Sequence, residues 1–242
     1  MNTMLAGIIG AVMQQGTSSG MISYVGGSND VQSSSNTNDI DLVMPTIVAD
    51  DFALVFIKAE KETNTVTWGG LAGFTLIRTD TYTTARDVVC HLYYKKLTGG
   101  ESDLALTANF GEMRAGILMV FRGVHTSSPL DATTTYATEA DVSNSTFPAI
   151  TTATDNAALA FFESATLDDI NVAGVPTTPS HVVIAESRVG GPTGVDDHRQ
   201  IVGMYVARVA TAGTVTPTAT THTVTAAGAM EHMMYTTALR PA

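Results

Sequence analysis

The chain has 242 residues, 44% of them hydrophobic and only 14% charged, with 12 Lys and Arg against 23 Asp and Glu and a net charge of −11. So acidic a balance argues against a nucleic-acid binder, because phosphate contacts need Lys and Arg, while the length allows one large β-sandwich or two fused small domains. The single cysteine, Cys90, excludes an internal disulfide, so packing or oligomerisation must carry stability.

Residues 1–21 read as an N-terminal arm and linker. Leu5, Ile8, Ile9 and Val12 fall at helical spacing, and Gln14–Gly20 follows as a flexible stretch. The apolar run Met4–Met13 is interrupted by Gly7 and Gly10 and is too short to span a membrane. With Lys58 the first basic residue, it also lacks the positive n-region of a secretory signal. The expectation is no membrane insertion. The stripe is either a frayed terminus or core cap, or an arm that docks on a neighbouring subunit.

From Ile22 to Ala242 the pattern predicts strand, turn, strand. Runs rich in β-branched and aromatic residues occupy Asp51–Ala59, Phe74–Thr79, Asp87–Leu97, Arg114–Val124 and Ala157–Glu163. Four more lie at His181–Ser187, Gln200–Val209, Thr221–Ala226 and Ala229–Ala238. Asp51–Ala59 is apolar on both faces, as a central strand covered on each side would be. In Asp87–Leu97, Val88, Cys90, Leu92 and Tyr94 alternate with Val89, His91, Tyr93 and Lys95, so one face is buried and His91 points outward. Ser33–Asn38, Gly99-Gly100, Gly190–Gly194 and Thr211–Gly213 are turn material. The expected fold is all-β, a β-sandwich or jelly-roll-like body with no helix beyond the first twenty residues.

The body also reads as two pseudo-repeat halves, about 22–125 and 145–242, joined by the Thr-rich crossover Thr126–Phe147. Pro45, Asp51, Leu54 and Phe56 match Pro148, Asp155, Leu159 and Phe161; Tyr93 and Lys96 match Tyr205 and Arg208. Ala115-Gly116 matches Ala227-Gly228, and Arg122 matches Arg240. The spacing widens from 103 residues (Pro45 to Pro148) to 118 (Arg122 to Arg240), as loop insertions between equivalent strands would produce.

No catalytic constellation assembles in the sequence. There is no GxSxG elbow, and His91, His125, His181, His198, His222 and His232 are scattered without metal-ligand spacing. The loop doublet Asp196-Asp197 is the first candidate for Ca²⁺, ahead of Asp50-Asp51 and Asp168-Asp169, although solvated turn carboxylates explain all three. Trp68, the only tryptophan, either plugs one end of the core or stacks on a sugar ring. Cys90 reads as a small core residue. No cofactor is implied.

The order of short motifs resembles a family of phage and prophage virion proteins, found free-standing and as modules of tail-fibre-like chains. The motifs are Leu42–Pro45, Asp51–Val55, Trp68–Leu76, Tyr93-Tyr94-Lys95, Arg114–Gly116, Phe121–Val124, Pro129–Asp131, Ile150–Thr152, Asp155-Asn156 and Ala238–Ala242. They cover roughly residues 22–242, and Trp68 precedes Gly69 where the family pattern has Pro-x-Gly before the Trp. The resemblance implies a non-enzymatic β-sandwich component of the virion, made in the host cytoplasm and exposed on the particle. Its partners would be other virion proteins of capsid or tail, with homo-oligomerisation. A free-standing module with a short arm points to a capsid decoration (cement) subunit. The rival is a tail or tail-fibre module binding a receptor or host-surface glycan, and a glycan-cleaving enzyme is the third reading.

Overall fold

The computed structural model describes residues 20–32, 40–60, 65–83, 87–109, 114–140, 144–166, 170–172, 182–187, 200–217, 220–224 and 231–242. Leu5, Ile8, Ile9 and Val12 of the expected arm lie outside them, as do Asp168-Asp169, Asp196, Asp197 and the turns Ser33–Asn38 and Gly190–Gly194.

The protein is all-β, with no helix among the described residues. The first strands are β1 (Ser23–Gln32), β2 (Ile40–Leu42), β3 (Ala49–Glu60), β4 (Thr75–Tyr82), β5 (Val88–Thr98), β6 (Leu104–Leu106) and β7 (Arg114–Arg122). Next come β8 (Thr135–Ala140), β9 (Asn144–Ser145), β10 (Ile150–Thr151), β11 (Ala157–Thr166) and β12 (Ile170–Val172). The last are β13 (Val182–Ser187), β14 (Gln200–Val209), β15 (Thr214–Val215), β16 (Thr220–Val224) and β17 (Glu231–Leu239). Each of the nine runs expected from the pattern coincides with a strand over its described residues. The stretch Thr126–Phe147, expected to be only a crossover, instead carries β8 and β9. β8 is an edge strand paired with β17 alone, and its Thr- and Ala-rich sequence TYATEA carries too few large apolar residues to stand out as a strand.

Two five-stranded antiparallel sheets dominate. The first runs β1-β7-β3-β5-β4 and the second β8-β17-β11-β14-β13, the same order strand for strand. The accessory ladders repeat as well, β2 with β6 and β10 with β15. β12, β16 and β9 form a further three-stranded sheet. Even a local irregularity recurs. Asp50 (φ 70°) and Asn156 (φ 63°) are both left-handed, a conformation that short polar side chains tolerate; Asp50 lies in the irregularity between Ala49 and Phe52 that opens β3, and Asn156 immediately precedes β11.

Registers correct the sequence matching by one residue in two strands. Phe52 of β3 pairs with Phe121 as Ala158 of β11 pairs with Leu239, so the counterpart of Phe56 is Phe162 and not Phe161. Leu54 faces Tyr94 as Ala160 faces Tyr205, which makes Tyr94, not Tyr93, the counterpart of Tyr205, and takes Lys96 off Arg208. The match of Arg122 to Arg240 stands, and it places Ala115 opposite Met233 rather than Ala227.

One core joins the sheets. Phe52, Leu54, Phe56, Cys90, Leu92, Ile117 and Met119 of the first pack with Ala160, Phe162, Met233 and Tyr235 of the second. The Phe56 ring lies 5.2 Å from Phe162 and 5.1 Å from Tyr235. Burying each such side chain contributes about 2–3 kcal/mol. Buried Lys58 donates from Nζ to the carbonyl of Ala165 at 2.7 Å, tying β3 to β11 across the interface. Each sheet is also covered outside. Ile40, Leu42, Leu104 and Leu106 of the β2–β6 ladder pack on Ala53, Val55, Leu118 and Val120, and Ile150 packs with Leu159 and Phe161 in the second half. This explains why β3 is buried along both faces from Asp51 to Glu60.

The halves are interlocked at the C-terminus. Gly123, left-handed at φ 83°, leaves β7 where an added Cβ would meet the carbonyl of Met21 at 2.6 Å. The chain then runs beside the last strand: His125 N donates to Arg240 O, Arg240 N to Pro129 O, Asp131 N to Ala238 O and Ala242 N to Gly123 O, at 2.8–2.9 Å.

Candidate functional site on the outer face of the first sheet

Strand alternation puts His91, Tyr93 and Lys95 on the outer face of β5, and the segment 65–74 folds over them. That segment is fastened to the stretch after β6: Gly69 N donates to Thr107 O at 2.7 Å, Asn109 N to Thr67 O at 3.2 Å and Thr67 N to Asn109 Oδ1 at 2.7 Å. Gly70 is left-handed (φ 83°), and a Cβ there would run into the carbonyl of Ala105, so only glycine lets the two backbones touch. Trp68 is half-buried and packs on two apolar clusters, and its Nε1–H donates to His91 Nδ1 at 3.3 Å. His91 stacks on Tyr93, with centroids 5.9 Å apart and planes at 16°.

His91 takes the outward strand position expected of it, as a structural residue and not an exposed one. It does face away from the inter-sheet core, but the Trp68 segment buries it to 7% exposure. Burial lowers its pKa from 6.5 to about 4. The acceptor role of Nδ1 also requires the neutral ring. The unfolded chain thus binds one proton more between these two values, so stability is full above pH 6.5 and falls as pH drops towards 4. The loss attributable to His91 by pH 5 should be about 2 kcal/mol. Urea unfolding at pH 7 and pH 5 checks this: His91→Gln should lose less stability than the parent by that amount, and an equal loss would refute it.

Beyond this patch lies a groove of about 400 Å³ between the 70–74 and 100–105 segments. Ala72, Phe74, Lys95, Glu101, Ser102 and Asp103 line it. Lys95 Nζ lies 5.5 Å above the Phe74 ring and 3.5 Å from Glu101 Oε1. Glu101 is held by Thr98 N, Thr98 Oγ1 and Gly99 N at 2.9–3.1 Å. Burial acts to raise its pKa, but these hydrogen bonds outweigh it and hold the carboxyl at about 2. Asp103 Oδ1 accepts from Met44 N at 2.7 Å. The walls are thus preformed, with one ammonium, two carboxylates and an aromatic ring.

No family model matches this chain, and no curated protein does either.

The other residues singled out in the sequence serve the fold where they are described. Asp51 is buried and takes Arg122 in a two-pronged pair, 2.7 Å on each oxygen, while Asp50 lies 3.0 Å from Lys96. Among the described residues no cluster of three or more His, Cys, Asp or Glu is placed to hold a metal. Cys90 is fully buried, 3.6 Å from Met233 Sδ, and burial pushes its thiol up to about 12, so it is a core residue as expected. Sequence reasoning missed the buried contact of His232 Nδ1 with Glu163 at 2.7 Å, since 69 residues separate them. It also gave no role to Lys95, Glu101 or Asp103, which reach one groove only because the β5–β6 turn folds against the Trp68 segment.

Proposed function

We propose that the chain is a non-enzymatic structural subunit of a phage particle, of the capsid-decoration type, docking on repeating virion proteins. The observation that carries this reading is what the motif residues of the resemblance do. Asp51 with Arg122 and Asp131 with Arg240 form ion pairs at strand ends, and Phe121, Gly123 and Ala238–Ala242 build the seam between the halves. A motif set that encodes sheet edges and seams suits a scaffold better than a reaction centre. The low charge and the absence of a disulfide fit a surface committed to subunit contacts. Cryo-EM of the particle tests it: density for this sandwich repeated over the capsid is expected, and its absence from head and tail would refute the reading. Protein lacking residues 1–19 should occupy fewer capsid sites with its melting unchanged; equal occupancy would rule out an anchoring arm.

A second reading, a tail module that binds a host-surface glycan, is favoured by the preformed groove beside Trp68. For it, density at the tail tip is the expected result.

A further inference from the structure

We propose that the outer edge of β4 pairs with β4 of a second copy of this chain, antiparallel and across a two-fold axis at Thr79. The two five-stranded sheets have four edge strands, β1, β4, β8 and β13. β1 and β13 lie against each other, so the sandwich closes on itself along that side. β8 is crossed by the stretch that follows it, with Thr146 N donating to Glu139 Oε2 at 3.3 Å and Thr135 Oγ1 to Pro148 O at 3.5 Å. The outer edge of β4 is paired with no described strand. Its backbone N–H and C=O groups are a template for one more strand.

The charges of β4 choose both the occupant and the register. Arg78, Thr79 and Asp80 belong to the regular stretch Arg78–Tyr82, past the irregularity between Leu76 and Arg78. An antiparallel copy centred on Thr79 sets Arg78 opposite Asp80 of the partner subunit, and Asp80 opposite Arg78 of the partner subunit. Centring on Arg78 or on Asp80 would instead oppose like charges. Within one chain Asp80 takes Nε and Nη2 of Arg78 at 2.6 and 2.7 Å. Three of the five guanidinium donors are left for the facing carboxylate. The guanidinium is already placed, 4.8 Å over the Tyr136 ring. Thr79 is exposed, so the axis is not committed to the core. A self-complementary contact of this kind closes at the dimer and joins the two first sheets into one. The paired stretch is short, so dissociation in the micromolar range is expected.

Sedimentation velocity of the full chain, from low micromolar to several hundred micromolar, tests this. A concentration-dependent dimer is expected. Thr79→Lys puts two ammonium groups face to face on the axis from an exposed position, and should weaken dimerisation about tenfold or more with its thermal melt unchanged. Asp80→Arg should weaken it likewise. Arg78→Asp combined with Asp80→Arg restores opposite charges across the axis and should recover dimerisation to within about threefold. Thermal melts show which variants fold, and Thr79→Lys alone decides if the charge-swapped ones do not. A parent that stays monomeric throughout overturns the proposal, as does a dimer indifferent to Thr79→Lys. Outward amides of β4 protected from hydrogen exchange in a monomer would mean that another segment of this chain covers the edge, which also overturns it. The capsid reading stands apart from these outcomes, because location on the particle tests it.

Discussion

Truncating Phe56 or Phe162 to alanine should each destabilise the fold by about 3–5 kcal/mol, the largest single-residue effects expected here. Both rings are fully buried at the centre of the inter-sheet core, 5.2 Å apart, one from each half. A cavity there has sheet backbone on both sides and cannot collapse easily. The double variant gives a sharper result. Phe56 and Phe162 should couple by about 0.5–1.5 kcal/mol, whereas Phe56 and Phe161 should be additive to within about 0.5 kcal/mol. Phe161 points to the other side of β11, where its ring meets Phe147 at 5.2 Å. Urea melts of the three single and two double variants measure this. Coupling of Phe56 with Phe161 and not Phe162 would mean that the register of β11 is wrong by one residue.

Asp131→Ala should cost about 3 kcal/mol, well beyond an ordinary surface ion pair. The carboxylate is buried at the seam and accepts from Ala153 N at 2.6 Å, Thr154 N at 3.1 Å and Thr154 Oγ1 at 2.6 Å, with Arg240 Nε at 3.4 Å. Truncation leaves these donors without their acceptor. Arg240→Ala should cost about 1 kcal/mol or less, since that side chain is one-third exposed and its contact is long. Burial acts to raise the Asp131 pKa, but the bonds from Thr154 and Ala153 and the pull of Arg240 outweigh it and leave it below the ordinary carboxylate value. Its stabilisation is therefore present above that ordinary value and is lost as pH falls through the depressed one, a window below that of His91. Equal costs for Asp131→Ala and Arg240→Ala in urea would show that the surface ion pair, not the buried acceptor, holds the seam.

Particular residues show how far the sequence carried. The alternation of Val88, Cys90, Leu92 and Tyr94 gave the inward face of β5 correctly, because a strand has period two and one sheet face is apolar throughout. Phe56 was matched to Phe161 because two adjacent phenylalanines stand in β11, and a strand buried on both faces leaves no polar residue to reveal which one turns inward. Tyr93 and Tyr94 posed the same ambiguity against Tyr205. The ladders β2–β6 and β10–β15 are two or three residues long, too short for any periodicity to register. Nor does any local pattern show that the Trp68 segment lies over His91 and buries it.

By itself the sequence determined the strand content, the duplication and the inward-facing residues of β5, because local alternation and turn residues act over a few positions. Tertiary structure alone decided the register between the halves, the burial of His91 under Trp68 and the meeting of Lys95, Glu101 and Asp103 in one groove. Each of these depends on contacts between segments distant in the chain, such as Gly70 against Ala105 or Trp68 over His91, and no local pattern encodes which segments will touch.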